Sequence, residues 1–151
     1  MGRYVVEETF EYLDYECKVI FRDLGHRCGY IKIPKDHPFY DKGYDYCDRF
    51  VQCHGGLTYA NKYLCDEDCE DGEWLGFDCA HCDDRLDIEA SKNYFPGAHS
   101  NRWYEMLERL NDCGIVRTKE FCEEELKRLA LQLETARNII EYFNVDVKED
   151  K

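Results

Sequence analysis

Nowhere in this 151-residue chain do apolar residues run for the roughly 18 positions that a membrane-spanning helix needs, and no basic segment leading into an apolar stretch opens it. Neither a membrane protein nor an exported one is expected, so the cytoplasm is the expected compartment. Positive charge is also scarce: 20 Lys and Arg stand against 33 Asp and Glu, a net charge of −13. Nucleic-acid binding is dominated by the neutralisation of phosphates, so direct binding to nucleic acid is not expected. A nucleic-acid mimic is still allowed. Proline numbers three, and no histidine lies beyond His99, so imidazole chemistry belongs to the first two thirds of the chain.

What is abundant is sulfur and aromatic surface. Ten cysteines without an export signal are expected to be reduced thiols, metal ligands or small buried residues rather than disulfides. Twelve Tyr, eight Phe and two Trp supply large contact areas, and each tyrosine hydroxyl wants a partner. The length fits one domain, 1–151, with 1–100 mainly strands and loops and 101–145 helical.

The stretch from Phe50 to Asp84 is the densest in small, polar and sulfur residues. Val51 and Cys53 alternate with Phe50, Gln52 and His54, the period-two pattern of a half-buried strand. Gly55-Gly56 then reads as a two-residue hairpin turn, because both central positions of a type I′ turn need positive φ. Leu57 to Ala60 begins a short strand. Further on, Leu75, Phe77 and Cys79 oppose Trp74, Gly76 and Asp78. Upstream, Arg3 to Tyr15 reads as extended. Cys17, Val19 and Phe21 alternate with Lys18, Ile20 and Arg22, the Asp23-Leu24-Gly25-His26 turn follows, and Cys28 to Ile33 returns. Pro34 and Pro38 then break regularity, and Lys35 to Asp48 is a tyrosine-rich loop. Asp83 to Ser100 reads as an irregular connection.

Trp103, Leu107 and Leu110 stand at helical spacing, with Asn111 to Gly114 as the stop. Thr118 is placed to cap a final helix whose apolar positions Cys122, Leu126, Leu129, Leu133, Ala136, Ile140 and Phe143 step by four and three. Leu131 and Ile139 lie off that stripe, which leaves room for a partner helix and hence a homodimer. The expected fold is α+β, an antiparallel sheet packed against a long C-terminal helix.

His54, Asp78 and His81 each fall at an expected strand end beside a turn, which places them on one rim of the sheet. The Gly55 and Gly56 N–H groups there have the arrangement of successive backbone donors that binds an anion. With His26, Arg27 and Thr58 they form the candidate ligand-binding set. The alternative for Gly55-Gly56 is a turn and nothing more. Cys65, Cys69, Cys79 and Cys82 have a spacing that zinc accepts, but the second pair encloses His81, so Cys79, His81 and Cys82 compete as a ligand set. A Cys/His nucleophile pair built on Cys53 or Cys79 is conceivable too, although strand cysteines are more often inert. The acidic insert Cys65 to Glu73 is not a calcium loop, because the glycine required at its sixth position is here Asp71.

The motifs Gly25-His26-Arg27-Cys28-Gly29-Tyr30, His37-Pro38, His54-Gly55-Gly56-Leu57-Thr58-Tyr59 and Gly76-Phe77-Asp78-Cys79-Ala80-His81 together resemble a family of small proteins encoded by tailed phages and prophages, a family without an assigned activity. The resemblance covers roughly Gly25 to His81 and the helical ending around Glu123 to Leu133, and it transfers no catalytic residue. It implies an accessory protein made in an infected bacterial host, where such proteins often blunt host defences. Three functions follow as expectations. The first is a non-enzymatic counter-defence protein that binds a small anionic or nucleotide-like ligand, with Tyr stacked on the base and no cofactor. The second is a small hydrolase using His54, His81 and Asp78, with or without a metal such as zinc. The third is an acidic inhibitor that blocks a host defence protein or mimics DNA.

Overall fold

The computed structural model describes residues 3–110 and 113–149. The chain opens with β1 (Tyr4–Tyr12), β2 (Tyr15–Arg22) and β3 (Arg27–Pro34). Leu13 and Asp14 join the first two strands, both at positive φ, in a two-residue connection whose twist suits an antiparallel pair. The register of β1 against β2 slips between Val6 and Glu8. This bulge at Glu7 re-aims its side chain, and its carboxylate meets Arg27 on β3.

A one-turn helix, α1 (Tyr44–Cys47), interrupts the tyrosine-rich loop. After it come the short edge strand β4 (Tyr59–Asn61), a small hairpin of β5 (Tyr63–Leu64) and β6 (Glu67–Asp68), and β7 (Gly72–Asp78). The main sheet runs β1-β2-β3-β7-β4 and is antiparallel throughout. The acidic insert is therefore built on a hairpin.

Val51 to Cys53 is not a strand. Its alternating burial comes from a helix instead: the Gln52 N–H donates to Gln132 Oε1 at 2.7 Å and Gln132 Nε2 donates to the Gln52 carbonyl at 2.8 Å. One side-chain amide satisfies the backbone that a neighbouring strand would otherwise pair. The Gly55-Gly56 turn has the expected positive φ at both positions, but it closes no hairpin.

Asp83 to Ser100 is also more ordered than its composition implies. β8 (Asp84–Arg85) pairs in parallel with β9 (Ile115–Val116), and α2 (Ile88–Tyr94) starts where Asp87 Oδ1 accepts from the Ala90 N–H at 3.1 Å. Helix α3 (Asn101–Leu110) follows. The Asn111 and Asp112 part of its expected stop lies outside the described residues.

Helix α4 (Lys119–Glu149), 31 residues and so about 46 Å long at 1.5 Å per residue, covers one face of the sheet. Its Cys122, Leu126, Leu129 and Leu133 are fully buried against Cys17, Val19, Ile31, Ile33, Leu75, Phe77 and Cys79. Each buried leucine contributes roughly 1.5–3 kcal/mol. Gly29 makes room for this contact: a Cβ there would lie 2.5 Å from the Phe77 ring and 3.2 Å from Leu126. Ala136 and Ile140 continue the stripe half-buried, whereas Phe143 is exposed, contrary to its expected place in the core. The opposite face carries a second cluster of Ile20, Cys28, Tyr30, Leu64 and Trp74, with Cys65 and Cys69 packed on it.

Thr118 caps α4 as expected, its Oγ1 accepting from the Phe121 N–H at 3.1 Å. Thr118→Ala is expected to cost about 1 kcal/mol in thermal unfolding. An unchanged melting temperature would show that the cap is not used. All ten cysteines are free thiols, and no helix among the described residues is long and apolar enough to cross a membrane.

Candidate functional site

The site is built around a carboxylate that the sequence reading passed over. Past the end of β7 the chain reverses, with the Asp84 N–H donating to the His81 carbonyl at 2.9 Å and the His81 N–H donating to Asp84 Oδ2 at 3.1 Å. The reversal turns the Asp84 side chain inward, where it is 1 % exposed. His54 Nε2 stands 2.8 and 2.9 Å from its two oxygens, and His81 Nδ1 stands 3.3 Å from Oδ2. Arg117 Nε donates to Oδ1 at 2.8 Å. The parallel β8–β9 pair is what delivers Arg117, because it sets Asp84 opposite Ile115, two residues before the arginine.

Burial by itself raises the Asp84 pKa, but the hydrogen bonds from His54, Arg117 and the His81 backbone outweigh it and hold the group at about 2. Asp84 is therefore an anion at any physiological pH. One oxygen receives an imidazole and the guanidinium; the other faces both imidazoles and a backbone N–H. Phe121 packs edge-on against His54, with ring centres 5.2 Å apart, and the Arg117 guanidinium lies 5.0 Å over the Phe121 ring. These contacts bind the start of α4 to the cluster.

Gly55 supports the other side. Its φ is +68°, and a Cβ there would fall 2.1 Å from His81 Cε1, so the imidazole rests on bare backbone. Gly55→Ala is expected to cost about 1 kcal/mol or more and to push His81 off Asp84. Thermal unfolding together with the His81 imidazole nitrogen resonances checks this. Unchanged resonances would contradict it.

His54 and His81 come together, their ring centres 5.7 Å apart, and Asp78 Oδ1 lies 3.8 Å from His81 Nδ1. His54 sits within the turn that the Gly56 N–H closes onto the Cys53 carbonyl, and not at a strand end. Asp78 ends β7, where it accepts from the Thr58 hydroxyl at 3.1 Å and the Ala80 N–H at 3.2 Å. Thr58 thus belongs to the rim. His26 is half-buried; burial lowers its pKa while the charge of Asp78 opposes that shift.

Arg27 is not at the cluster. Its Nε donates to Glu7 Oε1 at 2.6 Å, Nη2 to Glu7 Oε2 at 3.2 Å, and Nη1 to Asp87 at 3.0 Å and to the Arg117 carbonyl at 3.2 Å, so its donors are committed inside the fold. Of the two N–H groups of the expected anion cradle, that of Gly56 is committed to the Cys53 carbonyl at 3.0 Å, and the next N–H along the chain, that of Leu57, donates to Asp48 Oδ1 at 2.9 Å.

The cysteine ligand sets do not assemble. Cys79 lies under α4 with its sulfur 3.8 Å from that of Cys122, whereas Cys65 and Cys69 pack on the opposite face of the sheet. Cys82 is exposed, so Cys79, His81 and Cys82 do not converge either. Burial pushes the Cys53 thiol up to about 12, and Cys79, hydrogen-bonded to Cys122 and buried, is raised as well, which leaves neither a ready nucleophile. Among the described residues, the group of three metal-capable side chains is His54, His81 and Asp84, with ligand atoms all within 4.8 Å of one another.

No protein-family model, curated protein or solved structure matches this chain.

Proposed function

We propose that the chain is a small metal-assisted hydrolase in which His54 Nε2, His81 Nδ1 and one oxygen of Asp84 hold a first-row divalent ion such as zinc. The supporting observation is that two imidazoles from separate loops turn a nitrogen toward one buried, permanently ionised carboxylate. A divalent ion satisfies all three groups at once by replacing the protons that they share, and two His with one carboxylate is a donor set that leaves a further position for water. Arg117, on the other oxygen of Asp84, fixes the carboxylate from behind, as outer partners of metal ligands do. Such an ion would supply a water of lowered pKa. Asp78, half-exposed on the rim and oriented by Thr58, is the candidate general base beside it.

The test is turnover of a panel of simple carboxylic and phosphate esters by the purified chain with added zinc, with chelator present, and as Asp78→Asn. The proposal expects product only with metal and a loss of about 100-fold or more in Asp78→Asn, with unchanged melting temperature. Turnover that survives the chelator, or that the variant retains in full, would overturn it.

Capture of a small anionic or nucleotide-like ligand, in the counter-defence setting that the phage resemblance implies, is a second reading. Its support is a different place, a tyrosine-lined recess on the sheet face away from α4.

A further inference from the structure

Arg22 ends β2 on that second face, which it shares with Ile20, Tyr30 and the hairpin β5–β6. Its Nη2 donates to the Tyr30 hydroxyl at 3.1 Å, and its guanidinium lies 5.8 Å from the centre of the Tyr4 ring. Among the described residues no carboxylate lies within ion-pair distance of it, in a chain that carries 33 acidic side chains. A guanidinium with donors to spare and no carboxylate partner is available to an anionic group, which it meets with charge-assisted bonds.

The surrounding tyrosines are held in place. Asp66 accepts from the Tyr4 hydroxyl at 3.0 Å and from the Tyr63 hydroxyl at 3.1 Å, one on each oxygen, and the Tyr59 hydroxyl donates to the Tyr63 carbonyl. Tyr30 meets Tyr59 edge-on, with ring centres 5.3 Å apart. Cys65 and Asp66 take positive φ to make the hairpin turn that puts Asp66 there. The acidic insert thus fixes the aromatic wall, and both oxygens of its Asp66 are already in use. Between these rings and Arg22 lies a recess of about 220 Å³, to which the buried Ile20 and Leu64 add apolar surface.

We infer that this recess binds a small planar ring bearing an anionic group, with the ring against Tyr4, Tyr59 and Tyr63 and the anion on the guanidinium of Arg22. Stacking on aromatic side chains and charge-assisted bonds to a planar guanidinium are the two interactions that such a ligand rewards. The inference rests on the capture reading and names its place and ligand chemistry. It stands apart from the His54–Asp84–His81 centre, none of whose residues line the recess.

Calorimetric titration of the full chain with adenosine monophosphate, uridine monophosphate, benzoate, adenosine and inorganic phosphate tests it. The expected result is saturable binding of a nucleotide or of benzoate, which distinguishes a phosphate from a carboxylate as the anion, with adenosine and phosphate each weaker by at least about tenfold. Arg22→Gln is expected to weaken binding at least about tenfold, Arg22→Lys less, and the exposed Tyr63→Leu roughly tenfold. Tyr63→Leu serves where Arg22→Gln lowers the melting temperature. Binding of no probe at millimolar concentration would sink both the inference and the capture reading. Binding that Arg22→Gln and Tyr63→Leu leave unchanged would sink the inference alone.

Discussion

Asp84→Ala is expected to lower unfolding stability by about 3–5 kcal/mol, because it leaves Arg117 and two imidazoles around a hole that their shared acceptor had filled. For a chain of this size the melting temperature should fall by roughly 6–20 °C. The same carboxylate sets an acid limit. Its folded pKa, about 2, lies below the ordinary value of 3.8, so its stabilisation is present above the unfolded pKa and is lost as pH falls from about 4 through 2. Acid titration of the wild type should show that loss, and Asp84→Ala should lack that component. A variant that melts like the wild type at pH 7 would mean that the cluster holds nothing together.

Arg27→Ala is expected to be comparably damaging, at about 3–5 kcal/mol, for a reason outside the site. It strands Glu7, whose side chain is 4 % exposed, and removes the bond that ties the bulge of β1 to β3 and, through Asp87, to the start of α2. The Tyr94 hydroxyl, which donates to Glu7 at 2.7 Å, cannot replace a charge. Replacing both partners by apolar groups, as in Glu7→Leu with Arg27→Met, should restore much of the loss, since the cost lies in the unpaired buried charge. Urea unfolding of the two singles and the double reads this as a cycle. A double variant as unstable as the sum of the singles would contradict the pairing.

The antiparallel sheet and the covering helix were legible because each element repeats one period over many residues. Cys17, Val19 and Phe21 recur at every second position, with Ile20 the one apolar residue between them, and Cys122 to Leu133 keeps its stripe. The Phe50 to His54 segment misled because period-two burial does not identify the partner: Gln132, 80 residues away, took the role of a strand. Helix α2 escaped because it buries only Ile88 and Ser91, too few apolar positions to show a period.

At the site, His54 and His81 were visible from their neighbours, glycine and aspartate. Asp84 had a local signal, three residues after His81, but its position beside Asp83 made it look like the start of a solvated connection. Arg117 had no local signal, since only the β8–β9 pairing brings it to the cluster. Arg27 stands away from the cluster for the complementary reason: a surface-type residue in a promising motif was absorbed by a bulge whose geometry no residue pattern announces.

The most direct test of the proposed metal centre is a cobalt(II) titration of the full chain after chelator treatment, followed by visible absorption. Cobalt separates nitrogen and oxygen ligands from thiolates, which matters in a chain with ten free cysteines. One equivalent should bind with a d–d spectrum lacking a thiolate charge-transfer band, and His54→Ala and His81→Ala, each still folded at the assay temperature, should weaken binding by about 100-fold or more. A thiolate band, or an affinity that both variants retain, would contradict the assignment of His54, His81 and Asp84 as the metal centre.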